Sequence, residues 1–165
     1  MKEGITAVCP GSFDPITVGH LDIITRASEM FTKVIVVVMT NTSKTPSFSV
    51  EERMEMIRKA TAGIPNVEVD AYGGLLADYS RQKEAKAIIK GLRAMSDFEY
   101  EFQMSLTNKK LNPEAETIFL TTRSEYMYLS SSMVKLIGSL GGDIREFVPA
   151  VIHEDIKRRL SGKDA

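Results

Sequence analysis

The residues best suited to chemistry in this 165-residue chain form one run: Pro10-Gly11-Ser12-Phe13-Asp14-Pro15-Ile16-Thr17-Val18-Gly19-His20. It follows the apolar Ile5, Ala7 and Val8 and opens into Leu21-Asp22-Ile23-Ile24. A Gly- and Pro-rich turn joining a strand to a helix gathers bare backbone N–H groups and a helix N-terminus at one point, and phosphate is held at such points. Gly11 permits close backbone approach, and Ser12 adds a hydroxyl. Thr17 reads as the N-cap, which puts His20 in the first helical turn, facing the same pocket. The competing reading makes Pro and Gly simple punctuation and His20 a satisfied histidine packed on Phe13.

Further phosphate-compatible groups recur after other strand-like runs. Lys90-Gly91-Leu92-Arg93 brings two cations to the mouth of a strand, where they suit a nucleotide's polyphosphate or simply flank a surface turn. Ser130-Ser131-Ser132 before Met133-Val134-Lys135-Leu136-Ile137 reads as a hydroxyl-rich N-cap. Lys44, in the polar loop Asn41 to Phe48, is either a solvated charge or a mobile point charge for phosphate.

The elements that must position these groups alternate between short β-rich runs and longer helical ones, which predicts a Rossmann-like, doubly wound α/β fold: a five-stranded parallel sheet with helices on both faces. The strands fall at residues 4–9, 34–40, 67–72, 87–90 and 117–121. The first helix runs from about Val18 to Phe31 with Leu21, Ile24, Ala27 and Ser28 as its buried stripe. Ser49-Val50-Glu51-Glu52 and Ser96-Asp97-Phe98-Glu99 have capping-box spacing and open two further helices, the second ending before Pro113. A helix over Leu75 to Glu84, one after Ser132 that Gly141-Gly142 ends, and a last one with Val151, Ile152, Ile156 and Leu160 at helical spacing complete the set. In such a sheet ligands sit beyond the carboxyl ends of the strands, which gathers His20, Lys44, Lys90, Arg93 and the segment 123–132 at one end.

The length fits one domain, 1–165, and a 43% apolar content suffices for its core. A net charge of −1 without a long basic run argues against nucleic-acid or membrane-surface partners. The single cysteine, Cys9, excludes an internal disulfide and reads as a buried thiol. No run has the length of a membrane span and no signal peptide is evident, so a cytoplasmic protein is expected.

Gly-Ser-Phe-Asp-Pro followed by Thr-x-Gly-His resembles the nucleotidyltransferase family that carries the His/Thr-x-Gly-His motif. Lys-Gly-Leu-Arg-Ala, Asp-Phe-Glu-Tyr-Glu and Ser-Ser-Ser-x-Val-Lys bring the wording closest to the branch that adenylylates 4′-phosphopantetheine, and the likeness extends over nearly the whole chain. The resemblance implies transfer of the adenylyl group of ATP to 4′-phosphopantetheine, giving dephospho-CoA and pyrophosphate, with Mg2+ accompanying ATP and a homohexamer as the assembly. It implies catalytic roles for His20, Lys44 and Arg93, and acceptor contacts from Ser12, Lys44, Leu76 and Lys90. For ATP it implies Ser12, Phe13, His20, Gly91, Leu92, Arg93 and Glu101, together with the run Tyr126, Met127, Tyr128, Leu129, Ser130, Ser131 and Ser132. Without the resemblance, Glu101 reads as a solvated helix face and Leu76 as core. Lys90 stands where the family usually has arginine, which keeps the charge but not the planar fork.

No base-activated nucleophile accompanies these motifs, so the acceptor phosphate itself is expected to attack in line, with no covalent enzyme intermediate. No dense carboxylate cluster is evident, and protein ligands for the metal stay unassigned. The alternatives are a related nucleotidyltransferase acting on nicotinate mononucleotide or glycerol 3-phosphate, and a non-catalytic nucleotide-sensing module, which would not need the imidazole.

Overall fold

The computed structural model describes residues 4–40, 43 and 45–162, the side chain of Ser96 excepted. Strands β1 (Thr6–Gly11), β2 (Lys33–Met39), β3 (Val67–Tyr72), β4 (Ala87–Leu92) and β5 (Glu116–Thr121) form a parallel sheet in the order β3-β2-β1-β4-β5. The helices are α1 (Val18–Met30), α2 (Val50–Ala60), α3 (Leu76–Gln82), α4 (Met95–Leu111), α5 (Ser131–Ser139) and α6 (His153–Leu160), with short 3-10 turns at Ser124–Tyr126 and Ala150–Ile152. The doubly wound α/β architecture is the one the sequence predicts. None of the helices among the described residues is long and apolar enough to cross a membrane.

Successive strand residues point to opposite faces, and both faces are covered, so the central strands are apolar throughout. Ala7, Cys9, Val34, Val36, Val38 and Ile89 pack with Ile23, Ile24 and Ala27 of α1, Ile57 of α2, Val134 of α5 and Ile156 of α6. Val8, Ile35, Val37 and Ile88 pack on the other face with Tyr79 of α3. Each such Val or Ile contributes roughly 1.5–3 kcal/mol on full burial. Helix α4 departs from this pattern. Asn108 is its buried residue among those described, while Tyr100, Phe102, Leu106 and Leu111 are exposed.

Four expectations need correction. Strand β1 continues through Pro10 and Gly11, which pair with Val37 and Val38 of β2. Its pairing with β4 is confined to Ala7↔Ala87 and Val8↔Ile88, so Pro10, lacking an N–H, lies where the strand pairs on one side only. Strand β4 likewise reaches Leu92, because β5 pairs with it as far as Leu92↔Thr121, so Gly91 and Leu92 are strand residues and not a following turn. The capping box at Ser49 forms in full (Glu52 N–H to Ser49 Oγ 3.1 Å, Ser49 N–H to Glu52 Oε2 2.8 Å). The helix start expected at Ser96 falls elsewhere: α4 starts at Met95 behind Ala94, which makes no side-chain cap, so Ser96 is a helix residue and not the N-cap, and Arg93 pairs with Asp97 in the first turn (3.2 Å). The buried stripe of α1 is Ile23, Ile24 and Ala27, with Leu21 and Ser28 only half-buried.

Candidate active site

The strand order reverses at β1, whose neighbours are β2 on one side and β4 on the other. Beyond Val8↔Ile88 no further β1–β4 pairs form, and the crevice between them becomes a cavity of about 290 Å3. Its walls include Cys9 and Pro10 of β1, Ile89, Lys90 and Gly91 of β4, and Gly19, His20 and Ile23 of α1. A methyl group on Gly91 would come within 3.1 Å of the Ile23 side chain, so glycine lets α1 lie close against β4.

Thr17 caps α1 as predicted, in a reciprocal form the sequence did not reveal. The His20 N–H donates to Thr17 Oγ1 (3.2 Å), and the Thr17 N–H donates to His20 Nδ1 (3.0 Å). Because a backbone N–H can only donate, Nδ1 must be the unprotonated nitrogen, and the ring's proton resides on Nε2. Burial, followed by the nearby Arg93 guanidinium, lowers the imidazole pKa to about 4, so the ring is neutral at pH 7. His20 is thus a fixed neutral donor, held edge-on by the Phe13 ring at 5.1 Å between centroids. The Val18 N–H is taken by the Phe147 carbonyl (2.9 Å), and no acceptor among the described residues takes the Gly19 N–H, which borders the same cavity.

The cations are held as well as placed. Arg93 donates from Nη1 to the Leu129 carbonyl (2.9 Å), tying the end of β4 to the turn before α5. Lys90 Nζ lies 3.3 Å from Glu101 Oε2, both side chains being largely enclosed at the cavity wall. Ser130 caps α5 by accepting the Met133 N–H (3.1 Å), and Ser131 Oγ donates to the Pro15 carbonyl (2.7 Å). Burial pushes the Cys9 thiol up to about 12, so it is no nucleophile near neutral pH.

A second cavity of about 410 Å3 adjoins the first across Ser131. It is lined by Ser12, Asp14, Thr45, Arg53, Ser132 and Lys135, among others. The structure therefore distributes the predicted residues. Phe13, His20, Lys90, Gly91, Arg93, Glu101, Tyr126, Leu129, Ser130 and Ser131 line the first cavity, whereas Ser12 and Ser132 line the second. Leu92, Met127 and Tyr128 line neither, and Tyr128 packs its ring edge-on to Phe147 instead. Leu76 packs with Met39 and Tyr72 against the smaller core cluster, and Met39 borders the second cavity. Lys44 lies outside the described residues. Sequence reasoning missed Thr122, Arg53 and the full engagement of Asp14. For Asp14 the signal was present, as an acidic residue inside a turn otherwise made of small and apolar groups.

No group of three or more His, Cys, Asp and Glu comes together among the described residues. The carboxylates nearest the cavities are each engaged by a cation: Glu101 by Lys90, Asp97 by Arg93, Asp14 by Lys135.

A parallel sheet opened at its switch point, with a capped histidine and paired cations around the opening, defines a nucleotidyltransferase frame, and residues 8–137 match the cytidylyltransferase-like family model. Solved structures share the fold. The bifunctional NMN adenylyltransferase/ADP ribose pyrophosphatase of Francisella tularensis superposes with a TM-score of 0.69 at 20% identity, over 99% of this chain and 51% of that one. The nicotinic acid mononucleotide adenylyltransferase of Plasmodium falciparum, complexed with NaAD, gives 0.66 at 15% identity, over 98% and 97%.

Sequence relatives are more specific, and by them the chain belongs to the phosphopantetheine adenylyltransferase family. It is 56% identical to the phosphopantetheine adenylyltransferase of Caldanaerobacter subterraneus subsp. tengcongensis, over 93% of this chain and 96% of the relative. The Clostridium tetani protein of the same name is 55% identical, over 95% and 98%.

Proposed function

We propose that this chain transfers the adenylyl group of ATP to 4′-phosphopantetheine, forming dephospho-CoA and pyrophosphate as a step of coenzyme A synthesis. The observation that carries the reading is the tautomer-fixed, neutral His20 at the N-terminus of α1, facing a cavity that two cations and a serine turn also border. A sensing module would need the phosphate turn but not an imidazole donor at that point.

In this reading an oxygen of the acceptor phosphate attacks the α-phosphorus of ATP, and the bond from that phosphorus to the bridging oxygen breaks as pyrophosphate leaves. Nothing on the protein is modified. The His20 Nε2–H and the Gly19 N–H supply donors where negative charge accumulates on the α-phosphate oxygens, and the α1 N-terminus adds its dipole. Arg93 and the Ser130–Ser132 turn draw the β- and γ-phosphates away from the acceptor, while Ser12, Lys44 and Lys90 hold the acceptor phosphate in line. Mg2+ bound with ATP would supply charge neutralisation for the leaving pyrophosphate. With Glu101, Asp97 and Asp14 each paired to a cation, ATP itself would supply many of its ligands.

The exposed apolar side chains of α4 support self-assembly, and a homohexamer is the assembly that the family resemblance implies. Substrates of this kind suit a cytoplasmic enzyme. The test is pyrophosphate release from ATP across a panel of acceptors. A wide preference for 4′-phosphopantetheine is expected, and faster release with nicotinate mononucleotide or glycerol 3-phosphate would overturn the reading.

A further inference from the structure

Lys135 and Asp14 are 121 residues apart in sequence, yet Lys135 Nζ donates to Asp14 Oδ2 at 3.0 Å. The same carboxylate accepts the N–H of Ser47 on Oδ2 and that of Phe48 on Oδ1, each at 3.0 Å. Asp14 lines the second cavity, but with only 8% of its side chain exposed and both oxygens engaged its carboxylate is committed to the protein. It joins three segments: the turn after β1, the end of the loop that precedes α2, and the first turns of α5. From α5, Ser131 also grips Pro15, the neighbour of Asp14, through its carbonyl (2.7 Å). Ser131 and Lys135 stand four residues apart and therefore share one helix face, so α5 touches consecutive residues of that turn with consecutive turns of its own.

We propose that the Asp14–Lys135 pair is a positioning latch through which a nucleotide on the serine turn of α5 orders the segment 45–48 on the acceptor side. This rests on the reading above, in which the Ser130–Ser132 turn meets the polyphosphate and the loop after β2 meets the acceptor. The latch has the geometry to transmit. A polyphosphate held by the first turn of α5 fixes that helix. Lys135 then fixes Asp14, and the carboxylate fixes two successive amides of the loop by charge-assisted hydrogen bonds. Beyond them Thr45 and Pro46 line the second cavity opposite Ser12. The far side of the Ser47 peptide is already held, since Arg159 Nη1 donates to its carbonyl (2.9 Å). Arg53 ties the Ser12 carbonyl (2.9 Å) to that of Ser49 (3.3 Å), so the turn and the loop move as neighbours. Without the ammonium, a buried carboxylate retains two amides but loses its tie to α5. Coupling between the two ligands then falls; because Lys135 also lines the second cavity, that loss is read by exchange in the absence of acceptor.

Hydrogen exchange of the full chain tests this, with adenosine 5′-(β,γ-methylene)triphosphate as the probe. In the wild type the probe should slow exchange at Ser47 and Phe48 by about fivefold or more, the lower end of ordinary coupling. Lys135→Met should bind the probe by calorimetry within about threefold of the wild type and yet show no such slowing, while Lys135→Arg restores it. Lys135→Gln serves equally where the methionine variant fails to fold. In steady state the acceptor KM should rise in Lys135→Met, and by reciprocity ATP should bind less tightly in the presence of acceptor, while kcat and the ATP affinity measured without acceptor stay near wild type. Equal slowing in wild type and Lys135→Met, or none in a wild type that binds the probe, overturns the latch. A wild type that does not bind the probe overturns the nucleotide reading itself, and with it the latch. The wrong acceptor in the release assay would overturn the substrate alone, because exchange is read without acceptor.

Discussion

Lys90 reaches across from β4 to α4 and pairs with Glu101 at 3.3 Å, at the wall of the cavity both residues line. The pair sets a lysine, where the family resemblance implies arginine, against a carboxylate that restrains it. A compact ammonium can leave that carboxylate for a phosphate by rotating a flexible stem, whereas a guanidinium would bring a planar fork. Lys90→Ala is expected to raise the KM for the acceptor and leave ATP affinity largely intact, and Lys90→Arg to keep most activity. Titration calorimetry with each ligand checks this. Unchanged acceptor affinity in Lys90→Ala would remove the residue from the acceptor site.

His20→Ala should lower kcat by on the order of a hundredfold or more, the loss that follows deletion of one transition-state donor, with a much smaller effect on ATP binding. It also removes one arm of the reciprocal cap, at a cost of about 1 kcal/mol. Single-turnover rates at saturating ATP separate the two effects. A wild-type rate with weakened ATP binding would make His20 a ground-state contact.

The lowered pKa of His20 has a signed consequence for stability. The folded ring resists protonation until about pH 4, whereas the unfolded chain takes up the proton near 6.5. Between these values the unfolded state binds more protons, so stability rises with pH through that window and is lost as pH falls from 6.5 toward 4. Melting temperature measured from pH 7 to pH 5, above the range of most carboxylates, should fall in the wild type and fall less in His20→Asn. For the same reason kcat should show no inflection from His20 between pH 6 and 8.

Direct attack by the acceptor makes a stereochemical prediction. ATP carrying a chiral α-thiophosphate should give product with inverted configuration at phosphorus. Retention would require two displacements and a covalent adenylyl-enzyme, for which the buried, high-pKa Cys9 is unsuited.

The apolar face of α4 should be covered in solution. Leu106→Asp and Tyr100→Asp, at positions 57% and 64% exposed in the single chain, are expected to reduce the sedimenting mass toward that of one 18.3 kDa chain. A wild type that sediments as a single chain would refute the assembly.

The sequence made the sheet and its helices legible because parallel strands buried on both faces are short, continuous and apolar, as Val34 to Val38 are. Strand ends were less legible. Pro10, Gly11 and Gly91 carry the signals of a turn, yet pairing with β2 and β5 keeps them extended. Local spacing predicted the caps at Thr17 and Ser49, each satisfied within one turn, and a serine-rich cap for α5, although the helix begins at Ser131 behind Ser130 and not after Ser132. The start of α4 was misplaced at Ser96, since the helix begins at Met95 behind Ala94, with Arg93 paired to Asp97 in its first turn. Much of the lining of the candidate cavity was readable from residue types that suit phosphate. Asp14 with Lys135 and Lys90 with Glu101 were not, because long-range ion pairs leave no periodicity in the chain.

The place of β1 between β2 and β4 also governs how the chain comes off the ribosome. The strand at the centre of the finished sheet is the first one made, and it gains its β2 neighbour after a short helix-containing connection. Its other side stays an open edge until β4 is complete, which is past the midpoint of the chain. Throughout that interval a nascent chain presents the unpaired N–H and C=O groups of an apolar strand to any similar strand nearby. Fragments ending before Ala87 should therefore aggregate through β1, and the crevice between β1 and β4 is the last part of the sheet's middle to be enclosed.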